Sequence, residues 1–253
     1  MAVISEIAPD VYRISVFARA ANLQFNHFVV KDDEPLLYHT GLRGFHAEIH
    51  EAVSKLINVS ELRHIGYSHF ESDECGSLNE WLAAAPNADV ICSQVGAFVN
   101  MSDFMDKAPR ALPDGAIFAT GKYRFRYCQT PHLPHGWDAG ALFEETRKTL
   151  FCSDLFHHVG DVEPLTSSDV VGRSHQSLKE YQAGILAAYV PYTPLTAQNL
   201  KKLSDLKPKT LAIMHGSSFT GDCARESAIR LRQIASRRQR AEGDTSWTAL
   251  VTS

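Results

Sequence analysis

Four apolar runs in this chain lead into a histidine or a carboxylate, and that recurrence restricts the folds open to it. Leu62 to Tyr67 leads into His69-Phe70-Glu71-Ser72-Asp73-Glu74, and Tyr123 to Gln129 leads into Thr130-Pro131-His132-Leu133-Pro134-His135. Thr149 to Ser153 ends at Asp154, and Leu211 to Met214 ends at His215. Short apolar runs bounded by turn residues read as buried strands. Strands that carry polar groups at their ends line those groups along one edge of a sheet, the usual way an α/β architecture assembles a site.

The residue types at those ends are metal donors. In an extended loop, side chains two apart point the same way, so His69, Glu71 and Asp73 can converge while their neighbours face outward. The expected ligand set is His69, Glu71, Asp73, Glu74, His135, Asp154 and His215. His132, three residues before His135, is its rival on the same turn and is read as a supporting residue behind the ligands. A set this rich in oxygen suits iron, with manganese or zinc as alternatives. Four carboxylates balance two divalent ions.

On these four segments the chain resembles the metallo-β-lactamase superfamily, and within it the diiron domain of flavodiiron proteins, whose first motif reads His-x-Glu-x-Asp-His. The spacings from Glu74 to His135 to Asp154 to His215 are similar to that family's ligand spacing, and the resemblance covers most of the chain. It is similar to stand-alone oxygen-binding diiron proteins. The resemblance implies an α+β fold, a metallo-β-lactamase-like αββα sandwich of two mixed β-sheets flanked by helices. It also implies one iron held by His69, Glu71 and His135, a second held by Asp73 and His215, and Asp154 bridging them. Two departures follow from the same match. Glu74 stands where the family motif carries histidine, so the second iron either gains an oxygen ligand or keeps a water-filled position. His39, in Leu37-Tyr38-His39-Thr40-Gly41, stands where the superfamily usually carries Asp after an apolar strand. Tyr181 loosely resembles a pocket tyrosine of the family and is the catalytic candidate. Phe25, His27, Tyr38, Phe70 and Trp137 are further candidates to line the pocket. The family also implies a homodimer.

Composition sets outer limits. The chain has 253 residues, is 44% hydrophobic and carries a net charge of −4, enough for a sizeable core in one domain over 1–253. No apolar stretch approaches the roughly 20 residues that span a bilayer, and the start lacks a basic region followed by an apolar core, so a cytoplasmic location without membrane contact is expected. The cysteines Cys75, Cys92, Cys128, Cys152 and Cys223 are odd in number and form no paired-spacing motif, which predicts reduced thiols. His64, His157 and His158 have no spaced partners and read as ordinary structural histidines.

Strands are expected over Asp10 to Phe17, Leu23 to Val30, Leu36 to His39, Asp89 to Cys92, Ala116 to Ala119, Tyr123 to Gln129 and Ala141 to Phe143. Helical spacing covers Gly44 to Ile57, Leu78 to Ala85 and Lys179 to Ala188. A helix from Ala224 to Ala241 carries six arginines, but no aromatic residues interleave them and the whole chain is acidic, so a nucleic-acid partner is not expected. Neither a Gly-rich phosphate loop nor a flavodoxin-like domain is visible, so no FMN is expected. The function these features support is a non-heme diiron protein that binds and reduces dioxygen or nitric oxide. It would act as an oxygen sensor with a signalling partner, or as a flavin-independent reductase fed by a separate electron-donor protein. The competing class is a dinuclear metal-dependent hydrolase, in which metal-bound hydroxide does the chemistry.

Overall fold

The computed structural model of the chain describes residues 1–221 other than Asp106. The first sheet runs in chain order through β1 (Val3–Ala8), β2 (Val11–Ala18), β3 (Leu23–Val30), β4 (Leu36–Tyr38), β5 (His64–Gly66), β6 (Asp89–Ser93) and β7 (Arg110–Leu112). The second contains β8 (Ile117–Ala119), β9 (Arg124–Gln129), β10 (Gly140–Glu144), β11 (Thr149–Phe151), β12 (Leu165–Thr166), β13 (Thr210–Ala212) and β14 (Ser218–Thr220). Its spatial order is β12-β14-β13-β11-β10-β9-β8. Pairing is antiparallel from β1 to β4 and parallel from β4 to β7, so the expected mixed sheets are present.

The strand period of two sorts side chains into layers. Phe28, Val30, Leu36 and Tyr38 lie in the core between the sheets, whereas their neighbours Val29 and Leu37 join the outer core. That outer core includes Ile49 and Val53 of the helix His46–Ser54 and Trp81 of the helix Leu78–Ala84. On the other side, Leu200 and Leu203 of the helix Thr196–Asp205 pack with Leu150 and Leu211 of the second sheet. Helices therefore cover both outer faces, completing the four layers.

The third expected helix is displaced. It spans Val170–Tyr181, capped by Asp169, whose carboxylate accepts the Gly172 N–H at 2.9 Å. The apolar spacing of Lys179 to Ala188 does not continue it, because Ile185 is fully exposed and Leu186 half-exposed, leaving that stripe no core to face. The expected arginine helix and Cys223 lie outside the described residues. Cys75, Cys92, Cys128 and Cys152 are free and buried. No helix among the described residues is long and apolar enough to cross a membrane.

Two parallel pairs bring the site together. β4 and β5 run parallel, as do β11 and β13. The segments leaving their carboxyl ends carry His39, His69, Asp154 and His215, and the turn between β9 and β10 adds His135.

Candidate metal centre

His69 leaves β5 on a loop held from several directions. The Phe70 N–H donates to Asp138 Oδ2 at 3.0 Å and the Gly140 N–H to the Ser68 carbonyl at 2.9 Å, tying the motif loop to the turn that presents His135. That turn closes through the His132 N–H to the Gly136 carbonyl at 2.8 Å, with both residues at positive φ. Asp154 follows β11 and is buried. The His215 segment is clamped by Asn26, whose Nδ2 donates to the carbonyls of Ile213 at 2.9 Å and Gly216 at 2.8 Å, and by the buried Arg13, which donates to Gly216 at 3.0 Å.

The donor atoms converge in two groups that share Asp154. In the first, His135 Nε2 lies 3.1 Å from Glu71 Oε1 and 3.4 Å from Asp154 Oδ2, and His69 Nε2 lies 3.5 Å from Glu71 Oε2 and 3.6 Å from Asp154 Oδ2. In the second, His215 Nε2 lies 3.1 Å from Asp154 Oδ1 and 3.3 Å from Asp73 Oδ2. His157 joins the second side, since one ligand atom from each of Asp154, His157 and His215 lies within 4.8 Å of the others.

Hydrogen bonding separates the ring nitrogens facing the cluster from those facing away. His215 Nδ1 is 2.9 Å from the Gln24 carbonyl, which can only accept, so Nδ1 carries a proton and Nε2 is the nitrogen turned to the cluster. His69 Nε2, His135 Nε2 and Asp154 Oδ1 are buried without a hydrogen-bond partner, although each has an opposite group within 4 Å. Donor atoms that crowd together yet are not aligned for hydrogen bonds with one another suit a common cation between them. Three imidazoles and the carboxylates of Glu71, Asp73 and Asp154 fit a pair of divalent ions with a preference for oxygen donors.

Titration follows the same field. Burial lowers the His69 pKa, but Glu74, Glu71 and Asp154 outweigh it and raise it to about 10. Burial raises Glu71, yet His135 and His69 bring it down to about 2. Against the penalty of burial, Asp154 is held well below the carboxylate range by His215, His69 and His135, and His215 is raised well above the imidazole range by Asp154 and Asp73. Positive charge is what this cluster attracts, and a metal cation supplies it with more donors satisfied than protons can.

Glu74 differs from the sequence expectation. Its carboxylate joins neither group. It lies behind His69, where Oε2 accepts the N–H groups of Ser68 at 3.0 Å and His69 at 3.2 Å and the Ser68 hydroxyl, and Oε1 accepts the Ser153 hydroxyl at 3.2 Å. Oε1 is also 3.4 Å from His69 Nδ1, and Oε2 is 3.4 Å from His39 Nε2. His39 and Glu74, the two positions that depart from the family pattern, are thus neighbours. His132 shapes its turn through the backbone, and its imidazole joins neither group.

Of the expected pocket residues, Phe70 lines a cleft of about 510 Å³ that reaches Glu71, together with Phe45 and Phe104. Phe25 stacks edge-on against His215, with ring centroids 5.1 Å apart. Tyr38 and His27 are buried, and Trp137 is exposed. Tyr181 meets the site through His157, whose Nε2 is 2.7 Å from the Tyr181 hydroxyl. Tyr189, which the sequence did not single out, has its ring 4.7 Å from that of His135 and its hydroxyl 3.1 Å from His157 Nδ1.

The family model described as ODP family beta lactamase matches residues 23–216. The chain belongs to this family. Among curated relatives of this ODP-family chain, a nitric oxide reductase of Moorella thermoacetica is 23% identical over 215 residues, 83% of this chain and 53% of that protein. A flavo-diiron protein of Clostridium acetobutylicum is 23% identical over 201 residues, 78% and 49% of the two chains. Among solved structures, the rubredoxin oxygen:oxidoreductase of Desulfovibrio gigas aligns with a TM-score of 0.77 at 18% identity, over 92% of this chain and 62% of that one. The flavodiiron protein of Giardia intestinalis aligns at 0.74 with 21% identity, over 94% and 60%. The ODP-family chain has the metallo-β-lactamase-like fold of these flavodiiron proteins, and it spans about half the length of the curated relatives it matches.

Proposed function

We propose that this ODP-family domain holds two iron ions and uses them to bind and reduce dioxygen or nitric oxide, with electrons from a separate donor protein. The observation that carries the reading is the shared carboxylate: Asp154 lies 3.4 Å from His135 Nε2 through one oxygen and 3.1 Å from His215 Nε2 through the other. A side chain placed this way suits a bridge between two ions, with His69, Glu71 and His135 holding one and Asp73 and His215 the other. Curated relatives named as a nitric oxide reductase and a flavo-diiron protein support the substrate class and the metal.

Ferrous ions bound there would supply electrons to a diatomic ligand. The protein's own residues prepare the place. Glu71, half-exposed, lines the same cleft as Phe45, Phe70 and Phe104, whose rings give an apolar approach that favours a neutral diatomic over water. Glu74 and the Gln24 carbonyl orient His69 and His215 from behind. We further propose that residues 1–253 act as one domain, pair as a homodimer and hold no FMN.

Protein purified without air should contain two irons per chain and no flavin absorption. On exposure to dioxygen or nitric oxide it should develop a new visible band, and a reductant should sustain gas consumption. Zinc in place of iron, with turnover of an ester or phosphodiester, would instead establish the dinuclear hydrolase. Stable binding without multiple turnover would place the domain among sensors.

A further inference from the structure

The two donor groups are unequal. The first contains two imidazoles and two carboxylates, His69, His135, Glu71 and Asp154. On the other side of Asp154, Asp73 and a single motif imidazole, His215, make the close contacts. Glu74, at the motif position where the resembling family carries histidine, faces His69 from behind. A second nitrogen donor must therefore come from elsewhere if the two ions are to be held comparably.

His157 is placed to provide it. It is buried, with 3% of its surface exposed, and its ring centroid is 4.7 Å from that of His215. Positive φ at Ser153 and Phe156 folds the segment after β11 back on itself, so Asp154 and His157 face the same space although three residues apart. We propose that His157 is a ligand of the second metal, replacing the nitrogen donor that Glu74 does not supply. The inference rests on the two-metal reading of the site.

Its hydrogen bonds are compatible with that role. A neutral imidazole has one lone pair and one N–H, and the two ring nitrogens of His157 face the hydroxyls of Tyr181 at 2.7 Å and Tyr189 at 3.1 Å. In the ligating form the lone pair is on Nε2, at the Tyr181 contact, and Nδ1–H donates to the Tyr189 hydroxyl. Metal binding exchanges the first for coordination, and the second remains to fix the tautomer and ring orientation.

The test is anaerobic titration of the full chain with Fe(II) alone against a competing chelator, with circular dichroism as a check of folding. Wild-type protein should take two ions. His157→Ala should keep the first at native affinity and weaken the second at least ten-fold, and His157→Asp, which restores a ligating atom, should recover most of that loss. Tyr181→Phe, which removes only a hydroxyl, should leave the second ion as tight or tighter. An unchanged second ion in both His157 variants overturns the proposal. So does a Tyr181→Phe loss as large as that of His157→Ala, because the imidazole would then act only through its hydrogen bonds. Failure of the wild-type chain to take two ions would instead be failure of the underlying two-metal reading, and the variants' Fe(II) affinities tell the two apart.

Discussion

Glu74 Oε1 lies 3.4 Å from His69 Nδ1, on the opposite side of the imidazole from Glu71 and Asp154. A carboxylate in that place fixes which nitrogen carries the proton and makes the other a better donor. Glu74→Gln keeps an oxygen for the backbone N–H groups of Ser68 and His69 but removes the charge. It should leave the fold intact and weaken the first metal about 10- to 100-fold, as outer partners of ligating histidines do. Metal titration decides the role: a loss confined to the second ion would show Glu74 to be a ligand there, as the sequence pattern suggested.

Gly216 follows His215 with φ at +103°, and a Cβ there would collide with His158 Nε2. That nitrogen accepts the Ser217 N–H at 2.9 Å, so His158 cannot move aside without releasing the segment. Gly216→Ala should cost at least about 2 kcal/mol from backbone strain and the clash together, and should weaken the second metal. Urea unfolding and metal content measure the two effects. A variant with native stability would mean the loop relaxes freely and does not fix His215.

How much of this was legible in the sequence depends on backbone geometry. His69, Glu71, Asp73, His135, Asp154 and His215 could be picked out because each follows or ends an apolar run, and the alternation of 69, 71 and 73 puts them on one side of an extended loop. The same alternation sets Glu74 opposite, and the short helix Ser72–Cys75 turns it further into the protein. Its acidic type drew it into the ligand set against its own phase. His157 could not be found by spacing, because its approach to His215 depends on the positive φ values of Ser153 and Phe156, which neither residue type announces. Tyr189 comes directly after the exposed residues 182–188, just past the end of the apolar spacing that mimicked a helix, so nothing in the pattern marked it. The strands β12 and β14, two and three residues long, are too short to carry a readable period.

His27 and His39 are fully buried, and desolvation holds each pKa at about 3, with the neighbouring His39 adding to the effect on His27. Both lie below the ordinary imidazole value. In the unfolded chain each takes up a proton below about pH 6.5, whereas the native state stays neutral down to about 3. The stability contributed by these two neutral histidines is therefore full above about pH 6.5 and falls with decreasing pH across that window, by about 1.4 kcal/mol per pH unit for each. His27→Gln should remove about one proton from the slope between pH 6.5 and 5, leaving a variant that loses about 2 kcal/mol less than wild type on acidification to pH 5. Urea unfolding at several pH values, with chelator present, gives the slopes. Parallel curves would mean His27 is already charged in the native protein.

Asp154 offers the sharpest test of a shared site. Glu71 contacts only the first group and Asp73 only the second, so Glu71→Gln and Asp73→Asn should each weaken one ion and spare the other. Asp154→Asn should weaken both at once by at least about ten-fold, because its two oxygens face different imidazoles. The same substitution removes a buried charge that faces His69, His135 and His215, and an uncompensated change of that kind costs about 3 to 5 kcal/mol when one partner of a buried pair is lost. The penalty should appear at neutral pH even with chelator present, since it belongs to the imidazoles rather than to the metal. Two-site Fe(II) titration and chelator-treated unfolding separate these effects. An Asp154→Asn protein that keeps one ion at native affinity would place the carboxylate on a single metal and remove the bridge from the account.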